Sequence, residues 1–560
     1  MKNIVKYIDL ILKNNVLMFV LFCIIAIAIS LHLRYEVISD FNNYHYYLPW
    51  AFFHDRSFTD IALAMENSYH NPLIDMQYYF LVKYFNDNLT VFYVYIGIYY
   101  GILVFVFYKL CRLILEPKQK IELLLTMIIA MTGFATLSQV GTSSNEIIVS
   151  IGVMISLYLV YKELFVLGKE RWQIFIGTGF LLGLMLGLKL TIIVYCVALG
   201  GTLILFYGKL QTPVKTIGLF TLGGLLGFLV IDGWWMLVLY EHFGNPFFPY
   251  FNNVFKSPYY AEQFLTYKDF YKKTLSDYFL FPYKASFQLS ERITSESPML
   301  DVRLALGYTL LWIAIITSLF KRNLSTVIKR HKNIVFLIIF SVISYALWLQ
   351  IFSIIRYAIP FEMLIALFIV LYFATIRPKD LIKFALWGSG CIILFFMLMS
   401  GLPYASWGNR LGETKLVYEN NVKLPDNSLL ISLSPSTGLA ATQIVKNNPD
   451  VKLVNETSNL TIEGKKLHDI IDVYKKNSSY IAYLVSLKSP VREFDRYTPT
   501  DMIKGDNLDE VFENLQFIIK TELKPEHFYC RDISNSLYSF MKTFLCIDKR
   551  DKDSIFPANK

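Results

Sequence analysis

Charged residues are scarce in this chain. Asp, Glu, Lys and Arg make up 17% of its 560 residues, whereas hydrophobic residues make up 55% and aromatic residues 16%. A soluble globular domain carries about 25% charged residues and exposes most of them to water. The composition therefore excludes a soluble enzyme and predicts a protein of the lipid bilayer.

Cysteine is scarce as well, with six residues in the whole chain. Four of them lie in or beside apolar runs, and the other two, Cys530 and Cys546, lie in the hydrophilic C-terminal part. Two cysteines in an oxidising compartment are able to pair. The sequence leaves that disulfide open, because it does not show whether the two Cβ atoms meet.

Long apolar runs dominate the first 400 residues. A hydrocarbon core of about 30 Å needs roughly 20 apolar residues per helix. The run from Asn15 to Leu33 is too long for a cleaved signal peptide, and no small-residue cleavage site follows it. The two runs flanking Lys189 are short and glycine-rich, so they are read either as one hairpin or as two tilted helices. About eleven spans are predicted, near residues 15–38, 89–110, 121–140, 146–166, 172–188, 190–208, 216–240, 304–320, 333–352, 357–376 and 383–400.

Cations are confined to alternate connections, which predicts the orientation. They cluster near residues 2–13, 112–120, 162–171, 209–215, 321–332 and 377–383, whereas the alternate turn "GTSSNE" has none. By the positive-inside rule the N-terminal side is cytoplasmic, and an odd number of spans places the C-terminus outside. None of the cytoplasmic connections exceeds roughly 15 residues, so a nucleotide-binding domain is excluded there. The net charge of +9 is mostly anchoring charge, and no nucleic-acid partner is expected.

The predicted fold is therefore mainly α: a polytopic membrane helix bundle over residues 1–400 with a small α/β domain outside the membrane over residues 401–560. Long external loops are expected at about 39–88 and 241–303. In the C-terminal domain, "SLLISL", "VKLVNE", "YIAYLVS" and "NSLYSFMKTFLCID" read as strands. The segments "KKLHDIIDVYKKN" and "LDEVFENLQFI" show helical spacing.

The first external loop holds the densest group of chemically useful side chains. Asp40 opens it at the outer end of the first span, where a partly desolvated carboxylate suits a general base. The alternative is that Asp40 caps the aromatic segment that follows it. Asp75, after the Asn71-Pro72 turn, is a second candidate carboxylate, with a cap or a partner for Lys83 as its alternative.

Other polar residues of this loop follow no metal-ligand pattern. No recognised spacing relates His45, His54, Asp55, Asp60 and Glu66, so a divalent metal is only weakly supported. Solvated loop residues are the simpler interpretation of His54, Asp55 and Asp60.

Two further features lie at the predicted external surface. The segment "HFGNPFFPYFNNVFKSPYY" has a turn-rich backbone around Asn245 and many aromatic rings, which stack on sugars, cover isoprenoid chains or anchor at interfaces. Lys189 and Arg356 stand at external span ends, against the charge pattern. The planar fork of arginine suits a phosphate, and snorkelling to lipid phosphates is the alternative for either cation.

These pieces together resemble the GT-C superfamily of integral-membrane glycosyltransferases over residues 1–400. The resemblance is carried by an acidic residue opening a large loop after the first span, in "SDFNNYHYY", and by the short motifs "NPLID", "FGNPFFPYFN" and "RYAIP". A paired-acid DxD or ExD motif is absent, because Asp40 is followed by "FNN". Metal dependence is therefore not implied, and Asp55, Glu66 and Asp75 stay open as alternative bases.

The resemblance implies a multi-pass protein of the bacterial plasma membrane that uses a sugar linked to polyprenyl phosphate. Asp40 would deprotonate a hydroxyl of an envelope glycan, lipid or protein acceptor, with inversion at the sugar. Arg356, with Lys189 as second choice, would stabilise the leaving phosphate. Tyr44, His45, Asp75 and Asn245 are expected as substrate-binding groups, and no cofactor is expected.

Two other functions are left open. A transporter or flippase of lipid-linked sugars is disfavoured because the spans lack mid-span charges apart from Asp232 and show no repeat. An O-antigen-type polymerase or ligase would use external arginines on a lipid-linked glycan, with a pyrophosphate leaving group.

Overall fold

The computed structural model describes residues 14–34, 40–265, 274–288, 293–295, 299–322, 324–375, 413–434, 437–488, 527–533 and 541–556. It is mainly helical, at 67% helix, with one small β-sheet in the C-terminal part. The predicted class of a helix bundle with a small sheet-containing region is therefore confirmed at this level.

Within the described residues, seven helices are long and apolar enough to cross a membrane. They are Asn15–Leu33, Leu89–Ile114, Glu146–Val166, Pro213–Phe243, Arg303–Phe320, Lys332–Ile351 and Ile355–Thr375.

The seven helices match seven of the eleven predicted spans. The runs on either side of Lys189 form two separate shorter helices, Trp172–Leu188 and Leu190–Leu205. The predicted span 383–400 lies outside the described residues. The shorter helices of the described chain are Tyr47–Phe53, Met76–Phe85, Lys120–Met131, Phe134–Leu137, Asn252–Phe255, Leu275–Ser286, Leu324–Arg330, Gly438–Asn447, Lys466–Asn477 and Lys552–Ile555.

The predicted span 121–140 is not one continuous helix. The helix Lys120–Met131 has 12 residues, which is about 18 Å and too short for the hydrocarbon core. The chain breaks there because the Glu362 carboxylate accepts hydrogen bonds from the backbone N–H groups of Ala135 (2.8 Å) and Thr136 (3.0 Å). A Cβ on Gly133 would overlap that carboxylate, so a larger residue at the break would displace it.

Two helices are packed through glycine. Trp172–Leu188 and Pro213–Phe243 run toward the same end of the bundle, and a Cβ on Gly183 would overlap the carbonyl oxygen of Gly224. Such close backbone approach is typical of small-residue interfaces between membrane helices. This packing fixes where the helix Trp172–Leu188 ends along the bundle, and therefore where its C-cap residue Lys189 lies.

The described C-terminal part holds one β-sheet. Its strands are β1 Ser428–Ser432, β2 Lys452–Asn455, β3 Tyr480–Lys488, β4 Phe528–Asp532 and β5 Met541–Asp548. Their order in the sheet is β2-β1-β3-β5-β4. β1 pairs in parallel with β2 and β3, and β5 pairs antiparallel with β3 and β4.

The four predicted strands are confirmed, as is the helix Lys466–Asn477. Strand β4 was not predicted, and "LDEVFENLQFI" lies outside the described residues. Cys530 and Cys546 are directly opposite each other on β4 and β5 and form a disulfide, which resolves the pairing that the sequence left open.

The sheet is joined to the first long loop. Ile61 pairs in parallel with Val454, with the N–H of Ile61 donating to the carbonyl of Leu453 at 2.9 Å. The start of the helix Gly438–Asn447 lies so close to the carbonyl oxygen of Asn43 that a Cβ on Gly438 would overlap it.

The second long loop touches the same domain, because the N–H of Lys466 donates to the carbonyl of Pro258 at 3.2 Å. The long hydrophilic segments therefore lie together at one end of the helix bundle.

Candidate active site

Asp40 directly precedes a single π-helical turn, Phe41–His45. Turns of this kind are rare and often occur at functional sites. The Asp40 carboxylate makes no capping hydrogen bond to the turn. The capping alternative is therefore wrong for this side chain. Its hydrogen-bond partner lies elsewhere in the sequence.

That partner is Arg356. Its Nη1 donates to Asp40 Oδ2 at 3.0 Å, and the two side chains are 17% and 21% exposed. The hydroxyl of Tyr44 lies 3.5 Å from the same carboxylate oxygen. Burial raises the pKa of Asp40, but the positive charges of Arg356, His45 and Lys189 together outweigh it and hold that pKa below its ordinary value. Asp40 is consequently ionised at neutral pH.

Glu146 links both candidate cations. Its Oε1 accepts a hydrogen bond from Lys189 Nζ at 2.6 Å and lies 3.7 Å from Arg356 Nε. Asp40, Arg356, Glu146 and Lys189 thus form a row of alternating charge, here called the ion row. The ring of Tyr357 lies under both cations, with its centroid 5.7 Å from Lys189 Nζ and 5.5 Å from the Arg356 guanidinium carbon.

Glu146 was missed by the sequence analysis. Its turn, "GTSSNE", was considered only for its lack of cations. The available signal was an acidic residue at the first position of an apolar helix, where a carboxylate is stabilised by the helix dipole.

His45 and Asp75 form a buried pair behind the ion row. The Asp75 carboxylate accepts from His45 Nδ1 and from Asn145 Nδ2, both at 2.7 Å. Asn145 accepts in turn from the hydroxyl of Tyr78 at 2.7 Å. The side chains of His45 and Asp75 are 2% and 4% exposed.

Asp75 occupies the N-cap position of the helix Met76–Phe85, but its side chain makes no capping hydrogen bond and bonds His45 and Asn145 instead. The ammonium of Lys83 lies over the ring of Tyr79, so the expected pairing with Lys83 is wrong.

Three aromatic side chains stand next to the pair and are only partly buried. His70 Nε2 lies 2.9 Å from the Tyr250 hydroxyl, and their rings stack with centroids 5.8 Å apart. The Tyr44 ring lies 6.3 Å from that of His70 and 4.1 Å from that of His45. Burial, helped by the charges of Lys189 and His45, lowers the pKa of His70 to about 4. The imidazole of His70 is therefore neutral at physiological pH.

Asn245 was expected to bind substrate, but its side chain is used within its own loop. It is fully buried, and its amide donates to the Tyr250 carbonyl at 2.9 Å while its Oδ1 accepts from the N–H of Phe247 at 2.9 Å. Asn245 therefore shapes the loop that carries Tyr250, and its side-chain bonds are made within that loop.

The other polar residues that were expected to be solvated differ in exposure. His54 and Asp55 are exposed, and His54 bonds the Trp50 carbonyl. Asp60 is buried and pairs with Arg56, so the solvated interpretation is wrong for Asp60. In the part of the chain that the structure describes, no group of three or more His, Cys, Asp or Glu side chains is arranged to hold a metal ion.

No family model matches the sequence, and no curated protein matches it significantly. The geometry of the ion row and of the buried pair is therefore the ground for a functional proposal.

Proposed function

We propose that this protein is an inverting membrane glycosyltransferase that moves a sugar from a polyprenyl-phosphate donor to a hydroxyl acceptor. The single observation that carries the proposal is the contact between Asp40 and Arg356. It brings a proton acceptor and a phosphate-binding cation to one place at the end of a helix bundle. The likeness of the short motifs to GT-C glycosyltransferases supports the same reaction.

In the proposed reaction the donor phosphate competes with Asp40 for Arg356. Arg356 provides the largest of the charge effects that lower the pKa of Asp40, so its movement onto the phosphate lets burial raise that pKa. Asp40 thus becomes a better base when donor is bound. Lys189 and Arg356 then hold the phosphate, with Glu146 fixing the distance between the two cations.

In the proposed transfer one bond forms at the anomeric carbon as another breaks. An acceptor oxygen forms a bond to the anomeric carbon while the bond from that carbon to the phosphate oxygen breaks. The electron pair of the broken bond goes to the phosphate, and the acceptor proton goes to Asp40. The two cations stabilise the charge that develops on the leaving phosphate. Attack from the face opposite the phosphate inverts the anomeric centre.

The bundle supports a lipid-linked donor, because each methylene of an isoprenoid chain buried between helices contributes about 0.8 kcal/mol. We place this end of the bundle outside the cell, at the plasma membrane of a bacterium. The positive-inside pattern supports that orientation, and the Cys530–Cys546 disulfide is typical of an oxidising compartment. Labelling of single introduced cysteines from either side tests it, and a residue 40 reached only from the cytoplasm would overturn it.

The alternative of a transporter had one supporting feature in the sequence, an acidic residue within a span. Asp232, the acid noted within a span, accepts a hydrogen bond from the amide of Asn71 at 2.9 Å and is thus held by the first long loop.

The test of the proposed reaction is Asp40→Asn in protein reconstituted into liposomes, with radiolabelled polyprenyl-phosphate and polyprenyl-pyrophosphate sugars as parallel donors. We expect transfer from the monophosphate donor to fall at least about a hundredfold, as for loss of a general base, while donor binding is kept. Asp55→Asn is the matched control, because Asp55 is an exposed carboxylate of the same loop. Undiminished transfer in Asp40→Asn would refute the assignment, and transfer from the pyrophosphate donor alone would favour the polymerase or ligase.

A further inference from the structure

The imidazole of His45 carries a nitrogen for which the described part of the chain supplies no partner. Nδ1 lies 2.7 Å from Asp75, whereas Nε2 is buried and has no hydrogen-bond partner among the described residues. A buried polar atom without a partner costs about 1–3 kcal/mol and is uncommon in folded proteins. A ligand that entered the site and bonded this nitrogen would remove that cost.

The surroundings fix what kind of ligand this nitrogen accepts. The Asp75 carboxylate accepts a hydrogen bond from His45 Nδ1, so that bond fixes the orientation of the imidazole. Asn145 donates to the same Asp75 oxygen and holds the carboxylate in place. A hydroxyl both donates and accepts hydrogen bonds, so it is a suitable partner for Nε2.

Asp40 directly precedes the π-helical turn Phe41–His45, and His45 is its last residue. Tyr44, between them in sequence, lies 3.5 Å from the Asp40 carboxylate by its hydroxyl and has its ring 4.1 Å from the imidazole. Two groups that bind hydroxyls thus flank one aromatic ring. Aromatic faces pack against the apolar faces of other rings, and Tyr44, His70 and Tyr250 form such a wall here.

We propose that the acceptor is a sugar ring, bound through two hydroxyls, one at Asp40 and a second at His45 Nε2, and not the lone hydroxyl of a serine, a threonine or a simple alcohol. This inference rests on the proposed function, whose acceptor class it names. His45 is the binding residue, and Asp75 and Asn145 are positioning residues. The titratable groups that face the imidazole are Asp75, Tyr44 and Tyr78, and Asp40 and His70 stand on the other side of Tyr44.

The first experiment needs no transfer activity. Reconstituted protein is treated with diethyl pyrocarbonate at neutral pH, and modified histidines are quantified by mass spectrometry. His54 is the internal control, because its Nδ1 is also bonded, at 2.7 Å from the Trp50 carbonyl, but its ring lies outside the site. We expect His45 to be modified more slowly than His54. Methyl α-glycosides of glucose, galactose or mannose should protect His45 alone, whereas N-acetylthreonine methylamide should not.

Three results of this experiment would overturn the inference. In the first, His45 stays unmodified while His54 reacts. In the second, none of the three glycosides protects His45. In the third, the threonine derivative protects His45 as well as the best glycoside does.

The second experiment measures transfer to the protecting glycoside from a polyprenyl-phosphate sugar. His45→Gln should raise the KM for the glycoside about tenfold, as for loss of one hydrogen bond, with a smaller fall in kcat. Asp75→Asn should act in the same direction, and His54→Gln should match the wild type. A kcat effect without a KM effect would contradict a binding role for His45.

The two proposals fail separately. Glycoside protection of His45 without any sugar transfer would retain the acceptor site and reject the reaction. If the protein transferred sugar to the threonine derivative and His45→Gln did not reduce that transfer, the proposed reaction would stand and the sugar acceptor would be rejected.

Discussion

Arg356 donates a hydrogen bond to Asp40 across 316 positions of sequence, at 3.0 Å. The contact joins the turn after the first candidate span to the turn before the last described one. It makes the carboxylate a weaker base than its burial alone would. In the proposed reaction the donor displaces Arg356 from Asp40, and this step leads to a prediction on pH.

Arg356→Gln should change the pH dependence of transfer as well as donor affinity. Without Arg356, Asp40 loses the largest of the charge effects that lower its pKa, so that pKa rises and the acidic limb of the rate profile should move to higher pH. Donor affinity should fall by about tenfold to a hundredfold, as for loss of a charge-assisted hydrogen bond. Rates from pH 4 to pH 9 and donor titrations measure both effects.

The matched control for Arg356 is Arg34→Gln, because Arg34 caps the first candidate span and its Nε bonds Leu31. A variant at Arg356 whose acidic limb stays in place would show that this cation does not set the ionisation of Asp40.

Glu146→Gln should tighten donor binding and slow transfer. Glu146 neutralises Lys189 and Arg356 in the unliganded site, so removing its charge leaves more positive potential for a phosphate. The two cations also lose the group that fixes their spacing, which lowers kcat.

Equilibrium binding of the donor and single-turnover rates separate these two effects of Glu146. Glu163→Gln is the control, because Glu163 is a buried carboxylate in the same span that pairs with Arg171. Weaker donor binding in Glu146→Gln would reverse the role given to this carboxylate.

Gly438→Ala should disturb the site from the C-terminal domain. The added Cβ would overlap the Asn43 carbonyl oxygen, within the π-helical turn between Asp40 and His45. Overpacking of this kind costs about 1–3 kcal/mol, so the midpoint of thermal unfolding should fall and transfer should fall with it. Gly218→Ala has open space and serves as the control. Unchanged stability and activity would mean that the domain does not support the turn.

Gly183→Ala should separate the two parallel helices that set the height of Lys189. Its Cβ would overlap the Gly224 carbonyl oxygen, whereas a Cβ on Gly177 of the same helix meets nothing within 4 Å. Thermal unfolding in detergent should therefore occur at lower temperature for Gly183→Ala than for Gly177→Ala. Equal midpoints for the two variants would show that the helices tolerate wider spacing.

Much of the architecture could be predicted from the sequence because burial in lipid imposes long apolar runs. Seven predicted spans and four predicted strands recur in the structure. The run 121–140 failed as a single helix because Glu362, more than 220 positions away, accepts the backbone N–H groups at its break. No local pattern reports such a partner.

Some residues of the candidate site could likewise be predicted from the sequence, and others could not. Asp40, Arg356 and Lys189 could be singled out because charge is costly at the ends of apolar runs. Glu146 and Asn145 escaped notice, since their importance comes from partners contributed by other segments, Lys189 and Asp75.

The sequence by itself determined that this chain has helices long and apolar enough to cross a membrane, where its long polar segments fall and which ionisable groups stand at the ends of apolar runs, because those properties depend on neighbours along the chain. Only the tertiary structure decided that Asp40 pairs with Arg356, that Glu146 holds two cations and that Asp75 leaves one nitrogen of His45 available. Those relationships depend on how helices far apart in sequence pack, and packing is set by many weak contacts summed over the whole bundle.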